Sequence, residues 1–187
     1  MQRMSIARGI GKYVVTALAI LIVIIGVVIA AALMASNAPV KPIIYKSIEL
    51  RNATDPVKKA RLITDLDDLV AQTQNDAVIN QWSRMTDCLG TACPDEAYLD
   101  LVLITVAEYE EEIPESPLLI NAIAVSKYLN DGDHLLEFSK ALSLATDQVE
   151  QFKSKNIRKI WDQIVVCNGT CSAKNDLFFE FIKTVVQ

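Results

Sequence analysis

The chain is predicted to be all-α, with one membrane-spanning helix near its start and an exterior bundle of about five helices behind it. Three observations point there. Strand patterning is nearly absent from the 187 residues. Apolar residues recur at three-and-four spacing over long stretches, as one buried helical stripe requires. A Trp-Cys-Cys pattern also occurs twice: Trp82 precedes Cys88-Leu-Gly-Thr-Ala-Cys93, and Trp161 precedes Cys167-Asn-Gly-Thr-Cys171, each with five residues between the Trp and the first Cys. Two copies of one helical hairpin, each closed at its tip by a Gly-Thr loop between cysteines, account for that recurrence.

Residues 1–12 carry Arg3, Arg8 and Lys12 and are assigned to the cytoplasm. From Tyr13 to Ala35 there are 23 residues without a charge, enough for a helix of roughly 34 Å that crosses a bilayer. A cleaved signal peptide would have a shorter apolar region, and the small-residue triplet Ser36-Asn37-Ala38 is followed at once by Pro39, so an uncleaved anchor is expected. Arg8 and Lys12 lie closer to the apolar run than Lys41 does, which places the amino terminus inside and the rest of the chain extracytoplasmic. Gly26 and Ala30 form a small-residue face on which another membrane helix could pack. The span holds no ionisable group, which argues against proton relay or transport.

Residues 36–54, with Pro39, Pro42 and the polar run Arg51-Asn52-Ala53-Thr54, read as a stalk. The folded domain is then 55–187. Asp55-Pro56 is a good helix opening, an oxygen to cap free N–H groups followed by a proline that lacks one. A long helix is expected from there to about Thr86, burying Ile63, Leu66, Val70, Ala77, Trp82 and Met85. A shift of 79 reproduces the stripe, placing Leu142, Ala145, Val149, Ile157, Trp161 and Ile164 on Ile63, Leu66, Val70, Val78, Trp82 and Met85. The second long helix therefore runs from near His134 to about Val166. Beyond the cysteine loops the shift drops to 78, pairing Leu99 with Leu177, Leu101 with Phe179, Leu103 with Phe181 and Ile104 with Ile182 in two return helices. The hairpin repeats thus occupy 55–112 and 133–187. Between them Ser116-Pro117 opens a connecting helix over 117–130, with Leu118, Ala122, Val125 and Leu129 on its stripe and Asn130-Asp131-Gly132 at its end.

Four cysteines allow three pairings. Local bridges, Cys88 to Cys93 and Cys167 to Cys171, are expected because a hairpin copied as a unit carries its own bridge. A crosslink enclosing some 80 residues would stabilise more, about 4.5 against about 2 kcal/mol per bridge. Close pairs of this kind suit an oxidising compartment. The alternative is a metal-binding envelope protein with one zinc on the four thiolates, or a thiol-redox protein. Zinc requires both loops to converge, and redox catalysis favours a Cys-x-x-Cys at a helix start, which neither loop has.

No Walker loop, dinucleotide fingerprint, Gly-x-Ser-x-Gly elbow or His-Glu-x-x-His helix occurs. No catalytic residue, cofactor site, metal site or small-molecule substrate is therefore assigned. After the apolar run the chain holds 15 Lys and Arg against 23 Asp and Glu, a balance that disfavours a nucleic-acid partner. Trp82 and Trp161 are assigned to core packing beside the cysteines, the other use of two indoles being a binding platform. Asp65, Asp67 and Asp68, like Glu108 and Glu110 to Glu112, read as solvated faces, and His134, with Glu137 one turn on, as a surface residue at a helix start. Asn52-Ala53-Thr54 and Asn168-Gly169-Thr170 fit the glycosylation acceptor pattern. What remains is a non-catalytic, single-pass membrane protein whose helical domain is an interaction module or accessory subunit, its partner another membrane protein or complex.

Overall fold

The computed structural model describes residues 39–90, 93–129, 132–167 and 174–187. The expected cytoplasmic segment 1–12 and anchor 13–35 lie outside them; among the described residues no helix is long and apolar enough to cross a membrane. Residues 39–187 form one compact unit with its own core. The described residues fold into eight α-helices, linked in two places by a turn of 3-10 helix: α1 Val40–Asn52, α2 Pro56–Thr73, α3 Asp76–Cys88, α4 Asp95–Glu108, α5 Ser116–Tyr128, α6 Leu135–Gln151, α7 Lys155–Cys167 and α8 Lys174–Val186. The all-α class is as expected. The count is higher than five, for two reasons.

First, most of the expected stalk is a core helix. α1 buries Val40, Ile43, Ile44, Ser47, Ile48 and Leu50 and packs against α2, α4 and α8. Pro39 and Pro42 do not break it, because they fall at its N-cap and first turn, where no intrahelical N–H is needed; the Ile43 N–H already donates to the Pro39 carbonyl at 2.9 Å.

Second, each expected long helix is two. α2 opens at Asp55-Pro56 as predicted, the Asp55 carboxylate accepting from the Val57 N–H at 3.0 Å. It ends at Thr73, after which Gln74 takes a left-handed conformation (φ 51°) and Asn75 caps α3 by accepting from the Ala77 and Val78 N–H groups at 2.9 and 3.2 Å. The corresponding break after Gln151 has Ser154 accepting from the Ile157 N–H at 3.4 Å. Ala77, expected in the stripe, is exposed, and Val78 is buried in its place. Folding back is what lets each Trp reach its own preceding helix. The Trp82 indole N–H donates to Asp67 at 2.6 Å and that of Trp161 to Thr146 at 3.1 Å. Both bonds span 15 residues, which a straight helix would hold roughly 22 Å apart.

The helices fall into two sets of four with nearly equal lengths, α1–α4 and α5–α8. In both, the first helix packs on the second and fourth, and the third on the fourth. The sets meet through α4 on α5 and α1 on α8, two contacts that exchange when the sets are exchanged. Burial repeats as well. The shift of 79 pairs buried Leu66, Val70, Val78, Trp82 and Met85 with buried Ala145, Val149, Ile157, Trp161 and Ile164. In the return helices burial coincides at an offset of 80, where buried Leu99, Leu101, Val102 and Val106 fall on buried Phe179, Phe181, Ile182 and Val186. At 78 the half-buried Leu103 and Ile104 would face fully buried Phe181 and Ile182. A shift of 75 relates α1 to α5: Pro42 falls on Pro117, and buried Ile43, Ile44, Ile48 and Leu50 fall on buried Leu118, Leu119, Ile123 and Val125.

Two substitutions test this architecture. Ile44 is fully buried, so Ile44→Ala should cost about 2–4 kcal/mol in chemical denaturation, where a stalk residue would cost almost nothing. Gln74→Gly removes a left-handed strain of about 1 kcal/mol and should raise the melting temperature by a few degrees.

Candidate functional site

The expected cysteine bridge is present in the first set. Cys88 ends α3, and its disulfide to Cys93, with Cα atoms 5.0 Å apart, returns the chain to Pro94, which opens α4. Cys167 is disulfide-bonded as well, while Cys171 and the acceptor residue Asn168 lie outside the described residues. A four-thiolate zinc centre would need Cys88 and Cys93 as separate thiolates, and these two are joined to each other. Among the described residues no cluster of three metal-capable side chains forms.

Trp82 and Trp161 are 5% and 1% exposed, so both indoles are core groups with satisfied N–H donors, and neither offers a surface platform. Trp161 also packs on the Phe181 ring at 5.1 Å. The acidic residues divide among local tasks. Asp65 pairs with Lys46 at 2.5 Å, Asp67 accepts from Trp82, and Glu108 accepts from the Asn75 amide at 2.8 Å, which with the Tyr109 hydroxyl bond to the Thr73 carbonyl at 3.1 Å pins the α2–α3 break to the end of α4. Glu110 to Glu112 and Asp68 are exposed. His134 is exposed and stacks on Tyr128 at 5.3 Å. Asn52 is exposed at the end of α1, its side-chain oxygen accepting from Arg51 at 2.9 Å.

Arg51, read from sequence only as part of a polar stretch, is the most connected polar residue described. Its guanidinium donates twice to Asp95, at 2.8 and 3.0 Å, and once to Asp176, at 2.5 Å, and lies 4.5 Å over the Phe179 ring. Asn175 adds a bond to Asp95 at 2.8 Å. A cation in the last turn of α1 thus meets carboxylates in the first turns of α4 and α8, the arrangement that helix dipoles favour at both kinds of end. The hydrogen bond from Arg51 holds the Asp95 carboxyl below its ordinary pKa against the opposing effect of burial, and the same bond raises Arg51. Burial, followed by the nearby Asp95 charge, pushes the Tyr98 phenol up.

The outer faces of the two sets differ. Leu135, Leu136, Leu144, Val165 and Val166 of the second set are exposed, Val166 at 83%; Leu136 at 79% is matched at the same offset by Val57 of the first set at 78%. At the positions of Leu144, Val165 and Val166 the first set has Asp65, Thr86 and Asp87. Beside Val166 an open groove of about 740 Å³ lies between α7 and α8, lined by Lys155, Arg158, Lys159, Asp162, Val166 and Leu177 among others. The helical period of α7 puts Ile157, Ile160, Trp161 and Ile164 inside and these cations outside. No family model, curated protein or solved structure matches the chain.

The Arg51 cluster makes a pH prediction. Because the folded-state pKa of Asp95 is depressed, its contribution is whole above the unfolded value near pH 4 and is lost as pH falls through the lower folded value. Arg51→Met should cost about 2 kcal/mol at neutral pH, between the values for exposed and fully buried pairs, and should flatten the acid limb of stability measured by denaturant titration between about pH 5 and 2.

Proposed function

We propose that this chain is a non-catalytic, single-pass membrane protein whose extracytoplasmic helical domain acts as an interaction module or accessory subunit of a membrane protein complex. The observation that carries the reading is the uneven surface of an otherwise repeated body. The second set exposes Leu144, Val165 and Val166 where the first is polar, and burying such side chains gives roughly 1.5–3 kcal/mol each on association. The uncharged run 13–35 supplies the anchor, and the Cys88–Cys93 bridge fits export to an oxidising compartment. We read the two four-helix sets as a tandem duplication that includes the cysteine-closed hairpins. Nearly equal helix lengths, matching burial and the repeated Trp bond support that reading. After duplication one copy can keep a solvated face while the other acquires a binding face.

The test is recovery of the tagged full chain from its host in mild detergent. A stoichiometric second membrane protein is the expected result, with a carboxyl-terminal tag accessible only from the extracytoplasmic side. Isolation as a lone monomer, or a cytoplasmic tag, would overturn the reading.

A further inference from the structure

The groove on the second set has a complementary surface on the first. Residues 39–114 hold 14 Asp and Glu against 7 Lys and Arg, whereas residues 115–187 hold 9 against 8. The contrast is sharpest on the equivalent helices α3 and α7. Where α7 exposes Lys155, Lys159 and Val166, α3 exposes Asp76, Asn80 and Asp87, with Ile79 partly exposed (37%) between them. None of Lys155, Arg158 and Lys159 is ion-paired to a carboxylate among the described residues; Arg158 donates instead to the Glu150 carbonyl at 2.9 Å. Among the described residues Asp162 is the one carboxylate lining the groove.

From this we infer that the groove between α7 and α8 binds the α3 face of a second copy of the same chain. The inference rests on the interaction-module reading and names one partner for it. In an antiparallel approach Asp87 would face Lys159, and Ile79, eight residues before Asp87, would reach the apolar end at Val166, seven residues beyond Lys159. The two surfaces belong to different helices of one chain, so the contact is heterologous, and each copy retains one free donor face and one free groove. Association would therefore continue head-to-tail among copies held in one bilayer, and would weaken with salt because its charges are at the surface.

The experiment is sedimentation velocity on the full chain in detergent at low and high salt. The wild type should form concentration-dependent oligomers that shrink at high salt. The double variant K155E/K159E should weaken association by roughly tenfold or more, and D76K/D87K should do the same. All four positions are exposed, and a melting temperature within a few degrees of wild type shows that each variant is folded. Mixing the two variants restores both contacts, one native and one with its charges exchanged, so oligomers in which the variants alternate should reappear. Wild-type oligomers indifferent to both variants would assign assembly to another surface, such as the 13–35 segment, and overturn the inference. A monomeric wild type that still brings down a different membrane protein would also overturn it while leaving the interaction-module reading intact; a monomer without any partner would remove both.

Discussion

Three helix ends meet at Arg51, and the arrangement of the domain depends on that meeting. The last turn of α1 presents partial negative charge and free carbonyls, and the first turns of α4 and α8 present partial positive charge and free N–H groups. These opposite partial charges attract, and the side chains at each end carry the sign that its own dipole favours. One guanidinium with five donors in a fixed plane satisfies Asp95 twice and Asp176 once, and its face covers Phe179. A lysine at this place could not make the paired geometry. Because α4 belongs to the first set of helices and α8 to the second, the same residue fixes how the two sets are joined.

The breaks after Thr73 and Gln151 do comparable work within each set. A continuous helix would carry each Trp away from the residue 15 positions before it. The turn brings the indole back over its own preceding helix, where the ring fills core space and the N–H finds an oxygen. Asp67 and Thr146 are different side chains performing the same acceptor role, a substitution that keeps the bond while altering the surface charge. Neither break uses proline or glycine. A left-handed glutamine and an asparagine cap suffice in one, a serine cap in the other.

Much of this was legible in the residues, and what was not has identifiable causes. Helical class, the Asp55-Pro56 opening, the connecting helix and the Cys88–Cys93 bridge follow from periodicity, capping chemistry and local loop closure, all short-range effects. α1 was hidden by Pro39 and Pro42, whose meaning depends on whether they precede a helix or fall in its first turn. The i, i+3, i+4 spacing of Val40, Ile43, Ile44, Ser47 and Ile48 was the signal available. The breaks were masked because the apolar stripe continues across them in phase, so only Asn75 and Ser154 as internal caps could have marked them. The alignment of the return helices is open in the sequence because Leu, Phe and Ile on several faces match at more than one offset; burial matches best at 80. The Arg51 cluster joins residues 44 and 125 positions apart and left no local trace.

The first and last helices of the domain lie against each other. Lys183 sits 4.6 Å over the Tyr45 ring, and Val186 borders the same crevice as Lys41 and Pro42. During synthesis α1 emerges well before α8 and lacks one wall of its packing until α8 has been made. Without α8, Ile48 and its apolar neighbours on α1 would lose one wall of their packing. The core of the domain thus closes only when its last helix lies on its first.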